Sequence, residues 1–405
     1  MHGAGQAEEE PESGAEALEL TIHRDITEIT AEAWDACAAP ERADGGRPAN
    51  PFVTHAFLEA MESSGSATAR AGWAPHHLTA RLGGRVVAAM PLYLKGHSQG
   101  EYVFDHSWAH AWERAGGDYY PKLQCAVPFT PATGPRLLVA PDAPYSADAL
   151  RGALLDTAAE ITANNNISSL HITFCTREEW DLAPAHSYLQ RTDQQFHWEN
   201  QGYTSFDGFL DALASRKRKN LRKERAKALE NDVEVVWLTG SDIREEHWDA
   251  FWHFYQDTGS RKWGRPYLTR AAFSRLSETM AEDVLLILCR RDGAWIAGAL
   301  NIIGRETLFG RYWGCTEDHP FLHFETCYYQ AIDFAIAHGL KRVEAGAQGG
   351  HKLARGYEPV TTRSIHYIPN AGFRDAVARF LEGERRAVEA ENQALGEMTP
   401  FRKDG

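Results

Sequence analysis

Residues 285–303, LLILCRRDGAWIAGALNII, place two apolar runs on either side of a short turn, Arg291-Asp292-Gly293. Residues 77–94, HLTARLGGRVVAAMPLYL, do the same around Gly83-Gly84. Apolar runs joined by a short turn that contains glycine are typical of a β-hairpin. Because the order helix, hairpin, helix, strand then occurs twice along the chain, we predict an α/β fold of two similar lobes. Each lobe is expected to hold a mixed sheet flanked by helices.

Helices are predicted on both sides of these hairpins from the spacing of apolar residues. Thr54 is suited to cap one of them, because its hydroxyl can accept a hydrogen bond from the first turn. The helical segments on which the argument depends are residues 31–38, 54–63, 147–164, 206–229 and 323–338.

Four regions follow from this order. Residues 1–17 are rich in Glu, Gly and Ala and are expected to form a disordered acidic tail. Residues 18–200 form the first predicted lobe, residues 201–369 the second, and residues 370–405 a C-terminal amphipathic helix. The apolar stripe of that helix consists of Phe373, Val377, Phe380, Leu381 and Val388.

The composition is that of an ordinary globular protein, with 405 residues, 43% of them hydrophobic and 24% charged. No apolar run is long enough to predict a membrane span. The six cysteines lack paired spacing, which argues against a disulfide framework or a zinc site and favours a reducing cytoplasmic location. No metal site is predicted. The net charge of −14 disfavours nonspecific nucleic-acid binding by the whole surface.

One basic run departs from this acidic background. Residues 215–227, SRKRKNLRKERAK, hold eight basic residues and one Glu, a local charge of +7. Such a run is typical of a phosphate-backbone contact, as with a tRNA acceptor arm. The alternative is a solvated helix face. The candidate nucleic-acid contacts are Lys217, Arg218, Lys219 and Arg222.

A glycine-rich segment follows a predicted strand at residues 344–357, EAGAQGGHKLARGY. Either Glu344 or His351 could act there as the base that takes a proton from an attacking amine. The alternative is that Glu344 and Arg355 form a structural ion pair while the glycines serve packing. The expected substrate-binding residues of the segment are Gln348, Lys352, Arg355 and Tyr357.

Two aromatic segments supply the other candidates. Residues 104–122, FDHSWAHAWERAGGDYYPK, suit a substrate cleft, or equally a loop that fills its own core. The candidates of this loop are Asp105, Tyr119, Tyr120 and Lys122. In residues 309–325, FGRYWGCTEDHPFLHFE, strand alternation predicts that Arg311 and Trp313, both candidate substrate contacts, share one face opposite Tyr312.

These motifs, together with SSLHITF at residues 168–174, resemble the FemAB-like proteins of the GNAT acyltransferase superfamily. The resemblance covers roughly residues 51–368 and implies two GNAT-like lobes. It implies an acyltransferase that joins an activated acyl or aminoacyl donor to an acceptor amine, in peptidoglycan biosynthesis or recognition. Fem-type relatives take the aminoacyl group from tRNA, whereas ordinary GNAT enzymes take an acyl group from CoA.

The donor is expected to be a co-substrate, aminoacyl-tRNA or acyl-CoA, and no tightly bound cofactor is expected. The usual CoA loop presents backbone N–H groups to the pyrophosphate, but the corresponding segment here carries Glu317, Asp318 and Pro320. This favours amide-bond formation from a large carrier such as tRNA. The alternatives are an acyl-CoA-dependent N-acetyltransferase and a non-catalytic protein that binds a peptide or cell-wall precursor. The sequence indicates no oligomeric state.

Overall fold

The structure is a computed structural model that describes residues 17–262, 266–346 and 349–402, without the side chains of residues 259–262. The acidic tail and the candidate Gln348 therefore lie outside the described residues. Within the described ranges no helix combines the length and the apolar character needed to cross a membrane.

The strands follow the predicted α/β order. They are β1 (Glu19–His23), β2 (Trp73–Pro75), β3 (His77–Leu82), β4 (Arg85–Met90), β5 (Leu92–Lys95), β6 (Lys122–Cys125), β7 (Leu138–Val139), β8 (Leu170–Thr173), β9 (Leu189–Glu199), β10 (Glu234–Thr239), β11 (Val284–Arg291), β12 (Ala294–Ile303), β13 (Thr307–Cys315), β14 (Arg342–Glu344) and β15 (Glu358–Tyr367).

The helices lie on both faces of the sheets. They are α1 (Ala31–Ala38), α2 (His55–Ser63), α3 (His106–Arg114), α4 (Ala147–Asn164), α5 (Arg177–Leu182), α6 (Phe206–Ala212), α7 (Ser215–Ala228), α8 (Glu245–Lys262), α9 (Arg270–Met280), α10 (Leu322–Phe324), α11 (Gln330–Ala337) and α12 (Ala371–Gly396). A π-helical turn, Glu325–Tyr329, joins α10 to α11.

The strands form two sheets. A four-stranded sheet has the order β1-β3-β4-β7, and an eleven-stranded sheet has the order β10-β11-β12-β13-β14-β9-β15-β8-β6-β5-β2. Strand β15 comes from the second predicted lobe but lies between β8 and β9 of the first. The two halves of the chain therefore share one continuous sheet, and the boundary at residue 200 stays a prediction.

The first predicted hairpin is only partly correct. Its turn joins β3 and β4 as expected, but β5 leaves β4 after Met90 and pairs with β2 and β6 in the larger sheet. Pro91 stands at the break. Because proline lacks a backbone N–H, it interrupts a strand ladder at the point where the chain changes sheets.

A shared apolar core holds the two halves together. One buried cluster combines residues of α1 and α2 with residues of α8, α9 and β13. The rings of Phe52 and Phe309, which come from different halves, pack edge to face with centroids 5.1 Å apart. This packing fixes the edge of β13 against the first half of the chain.

Candidate functional site

Strands β13 and β14 diverge in the middle of the large sheet. Their parallel pairing covers three positions and ends at Phe309 and Glu344, whereas β13 continues along β12 as far as Cys315. A small cavity of about 100 Å³ lies where the strands diverge. We call this cavity the strand wedge, and its defining residues are Asn301, Gly310, Arg311, Trp313, Tyr328 and Ala345.

A β-bulge shapes one wall of the strand wedge. Asn301 pairs with Gly310 and Leu300 pairs with Tyr312, so Arg311 is the extra residue. A bulge redirects side chains, because two residues of one strand oppose one of the other. Arg311 and Tyr312 both donate hydrogen bonds to the carbonyl of Phe129. The predicted grouping of Arg311 with Trp313, opposite Tyr312, was therefore wrong.

Trp313 instead packs on the face of β13 that lies against α10. Its ring lies 5.3 Å from the ring of His323, in α10. Glu325, three residues into that helical segment, is fully buried and forms a two-pronged ion pair with Arg225 of α7 at 2.8 and 3.0 Å. This carboxylate therefore serves an ion pair with a distant helix.

The π-helical turn supplies the opposite wall. It places Tyr328 against the strand wedge, and the Tyr328 hydroxyl lies 2.8 Å from Nε2 of His351. His351 is exposed, and its ring is 5.6 Å from that of Phe324. Single π turns inside helices are frequent at functional sites. An accessible imidazole thus stands beside a tyrosine that lines the wedge.

The residues that follow His351 in the glycine-rich segment, 352–357, are largely interior. Lys352 donates a hydrogen bond to the carbonyl of Gly346 at 2.9 Å, and burial lowers the pKa of its amine to about 8. Tyr357 is fully buried and its hydroxyl approaches the Tyr328 carbonyl. Lys352 and Tyr357, both predicted to bind substrate, are therefore buried and support the segment from inside the protein.

Arg355 is also interior, and its partner differs from the predicted one. Its guanidinium pairs with Glu224 of α7 at 2.9 Å and lies 3.5 Å from the centroid of the Phe324 ring. The alternative of a Glu344–Arg355 ion pair was wrong, because Arg355 points toward α7. His351 and Arg355 both lie against the ring of Phe324.

Glu344 is buried at the end of β14. Removal from water raises the pKa of its carboxyl to about 7, even though Arg342 and a hydrogen bond from the Thr133 backbone favour the charged form. Its Oε2 is 3.8 Å from Nε2 of His197. Only 5% of Glu344 is exposed, so a substrate has little access to it.

A larger groove lies between the two predicted lobes. One part, about 670 Å³, and a second part, about 370 Å³, share Tyr102 and Phe104 as lining residues. We call the two parts together the interlobe groove. Other residues that line it are His97, Phe129, Tyr267, Gln195, Gly349 and Gly350. The glycine-rich segment therefore reaches the groove, and Arg311 of the strand wedge donates a hydrogen bond to Phe129, which lines the groove.

Strained backbone lies along this groove. Tyr102, Phe129 and Phe174 all line it, with φ values of 61°, 56° and 56°. Bulky L-residues rarely adopt the left-handed region, and such conformations concentrate at ligand sites. Neither the groove aromatics Tyr102 and Phe129 nor Tyr328 was among the predicted site residues. Sequence carries no local signal for a left-handed aromatic residue.

The aromatic loop before β6 is packed inward. Lys122 is fully buried and its ammonium contacts Asp105 and, at 2.7 Å each, Glu101 and Ser98. Tyr119 donates a hydrogen bond to Asp105 at 2.7 Å. Tyr120 is half-buried and its hydroxyl is 2.8 Å from Ser98. The inner side of this loop is held by contacts among Asp105, Tyr119 and Lys122, as the packed-loop alternative predicts. Its outer side lines the groove.

The basic run forms α7 as one exposed helix, separated from α6 by Leu213 and Ala214. Arg218 pairs with Asp211 at 2.7 Å and Arg222 with Asp207 at 3.0 Å, both from the α6 segment. Within the described part of the chain, four of its basic residues form no ion pair, namely Arg216, Lys217, Lys219 and Lys223. Half of the eight basic residues of the run are therefore open to a polyanion.

The chain is similar to several solved structures. The solved structure of FemX matches with a TM-score of 0.53 and 14% identity, over 89% of this chain and 100% of FemX. A tandem GNAT protein from the clavulanic acid biosynthesis pathway matches with a TM-score of 0.46 and 14% identity, over 87% and 99% of the two chains. L-PGS from Bacillus licheniformis matches with a TM-score of 0.49 and 10% identity, over 83% and 98%.

At such identities the match to FemX supports the fold alone, which is the predicted mixed α/β fold with sheets flanked by helices and a C-terminal helix. No curated protein matches the chain. The family model for FemAB-like proteins, described as peptidoglycan biosynthesis/recognition, matches residues 25–403. The chain therefore belongs to the FemAB-like family.

Proposed function

We propose that this protein is an acyltransferase of peptidoglycan-related chemistry, which joins an acceptor amine to an activated acyl or aminoacyl donor. Membership of the FemAB-like family and the FemX-like fold support the reaction class. The observation that carries the proposal is the divergence of β13 and β14 beside the His351–Tyr328 pair. Diverging strands expose backbone N–H groups that no ladder uses.

The reaction needs a hydrogen-bond donor to the carbonyl oxygen, a base, and correct positioning of the two substrates. The amine nitrogen attacks the donor carbonyl carbon, a C–N bond forms, and the ester C–O or thioester C–S bond breaks. A backbone N–H of the strand wedge stabilises the negative charge on the carbonyl oxygen. The proton lost by the amine passes to a base and then to the leaving oxygen or sulfur. Positioning by the groove supplies the remainder of the rate enhancement.

His351 is our choice for that base. It is exposed, and its Nε2 shares a hydrogen bond with Tyr328, which lines the strand wedge. Glu344 has a pKa near neutrality but is 5% exposed. A base must reach the proton directly or through one water. We therefore assign Glu344 an indirect electrostatic role from its buried position at the end of β14.

The interlobe groove is proposed to hold the acceptor. Its lining is aromatic and polar, with Tyr102, Phe104 and Tyr267 beside His97 and Gln195. Aromatic faces with a few fixed polar groups suit an elongated ligand that has both apolar and hydrogen-bonding parts. An amine-bearing peptide from a peptidoglycan precursor fits this description.

For the donor we favour aminoacyl-tRNA over acyl-CoA. The loop after β13 places Glu317 where a pyrophosphate cradle is expected, with His319 and Arg291 each 2.8 Å from its carboxylate. The carboxylate of Glu317 would repel a phosphate here. Pro320 has no backbone N–H to donate to one. The open lysines of α7 offer a phosphate contact instead.

A two-donor assay tests the proposal. The protein is incubated with an amine-bearing precursor peptide and either aminoacyl-tRNA or acetyl-CoA, and the peptide mass is followed by mass spectrometry. We expect an amide product with aminoacyl-tRNA. A product with acetyl-CoA alone would favour the N-acetyltransferase. Peptide binding without a product from either donor would favour a recognition protein.

A further inference from the structure

A second large cavity lies on the flank of α12, formed by that helix, β9, β15 and α5. Its volume is about 710 Å³. The floor carries Thr192 and Arg363, which are direct partners across β9 and β15, and Thr361 two residues before Arg363. Trp180 stands on one side and the α12 residues Arg385, Arg386 and Asn392 on the other. We call this cavity the α12 cavity.

Two of its arginines are half-buried and lack a carboxylate partner. Arg363 donates one hydrogen bond, to the Thr361 carbonyl at 3.3 Å, and Arg385 donates one to the Gln190 carbonyl. Across the described ranges no carboxylate oxygen lies within 4.0 Å of either guanidinium. Each guanidinium has five N–H donors, so most of them have no acceptor among the described residues.

This arrangement is unusual because a charge removed from water is normally paired. Elsewhere in this protein the half-buried Arg225 and the buried Arg191 each form a two-pronged contact with a glutamate. Glu382 and Glu389 also line the α12 cavity, but only Arg386 approaches one of them, at 3.9 Å from Glu382. The remaining donors of Arg363 and Arg385 are therefore available to an anion from solution.

The charges of the lining restrict the size of that anion. Three arginines and two glutamates leave the cavity with a small positive excess. A long polyanion would meet Glu382 and Glu389, whereas a compact dianion can engage two guanidinium groups in the two-pronged geometry that suits phosphate. The hydroxyls of Thr192 and Thr361 and the Asn392 amide can bond the remaining polar atoms.

We propose that the α12 cavity binds a small molecule that carries a phosphate or pyrophosphate group, held by Arg363 and Arg385. The same helix also lines the interlobe groove, since Val388 contributes to both cavities. A ligand here would thus rest against the element that borders the groove. The proposal does not depend on the transferase activity.

Titration calorimetry with sodium pyrophosphate tests this site, with inorganic phosphate and succinate as separate arms. We expect pyrophosphate to bind, and Arg363→Gln and Arg385→Gln each to weaken binding roughly tenfold or more, as the loss of a charge-assisted hydrogen bond predicts. Arg379→Gln is the matched control, because Arg379 is exposed on the same helix and does not line the cavity. Its affinity should equal that of the wild type.

Three results would overturn the proposal. These are no binding at millimolar pyrophosphate, equal binding by the two cavity variants and the wild type, or loss of binding on Lys217→Gln of α7. Binding of succinate without pyrophosphate would overturn the phosphate assignment. If Arg363→Gln does not fold, as judged by circular dichroism, Arg385→Gln and the charge-preserving Arg363→Lys still decide the matter.

Discussion

The hydroxyl of Tyr328 lies 2.8 Å from Nε2 of His351, and this contact joins the π-helical turn to the glycine-rich segment. One residue lines the strand wedge and the other is exposed. The pair therefore links the cavity between the strands to solvent, and in the proposed mechanism it receives the proton that the amine loses. The proposed chemistry depends on this connection.

Replacement of His351 should reduce catalysis while the fold remains intact. Since general-base catalysis contributes about 10²–10⁴-fold, we expect His351→Ala to lower kcat by at least about 100-fold. Tyr328→Phe, which keeps the ring and removes the hydroxyl, should lower kcat by a smaller factor. Steady-state amide formation measures both, and thermal unfolding provides the folding control. Normal turnover in His351→Ala with loss in Glu344→Gln would reassign the base to Glu344.

Stability should depend on pH through Glu344. The folded-state pKa of about 7 exceeds the ordinary value of 4.5, so the folded protein retains a proton that the unfolded chain has released. The stabilising contribution of the protonated form is complete below pH 4.5 and is lost as the pH rises through 7. By linkage the loss is roughly 3 kcal/mol. Glu344→Gln, which stays neutral, should escape this loss.

Urea unfolding of both proteins at pH 5 and pH 8 measures that effect. The variant should gain stability relative to the wild type at the higher pH. Glu278→Gln is the control, because Glu278 is 58% exposed on the surface of α9. A difference between wild type and Glu344→Gln that does not change with pH would contradict the account of this carboxyl.

The Arg355–Glu224 pair should be important for stability. Arg355→Met removes a partner from a pair whose side chains are 7% and 20% exposed, and it leaves Glu224 without its cation. Loss of one member of a buried pair costs about 3 kcal/mol. In contrast, Arg275→Met disrupts the surface pair with Glu278 and should cost less than about 1 kcal/mol. Equal effects of the two substitutions on the free energy of unfolding would refute this ranking.

Much of the fold could be predicted from sequence because it depends on local signals. Helices α1 and α4 were predicted to the residue, and each begins at a hydroxyl cap, Thr30 and Ser146. Thr54 caps α2 as expected. The helix predicted at residues 206–229 instead breaks at Leu213 and Ala214, where Ala214 bonds the distant Pro400 carbonyl.

The site was harder to predict because its geometry depends on distant partners. The bulge at Arg311 depends on how β13 pairs with β12. The partner of Arg355 is Glu224, which lies 131 positions away in the sequence. Sequence spacing identified the glycine-rich segment and its histidine, but not the tyrosine that contacts that histidine. The assignments of catalytic and substrate-binding residues stay predictions until variants are measured.

Salt dependence should reveal whether α7 contacts tRNA. Each phosphate contact contributes about one to the slope of log K against log salt concentration, so Lys217→Gln and Lys219→Gln should each weaken binding and lower that slope by about 1. Lys227→Gln is the control on the same helix, because Lys227 already pairs with Glu230 at 2.5 Å. Filter binding of aminoacyl-tRNA over a salt series gives the slopes. An unchanged slope in both test variants would remove α7 from the donor site.

The central claim is that the strand wedge and the interlobe groove together catalyse transfer to an amine. The most direct measurement is single-turnover formation of the amide, by mass spectrometry, with aminoacyl-tRNA and an amine-bearing precursor peptide. The account predicts a new amide product with the wild type and a product rate at least about 100-fold lower with His351→Ala. A wild-type protein that binds the peptide but forms no product from either aminoacyl-tRNA or acyl-CoA would contradict it.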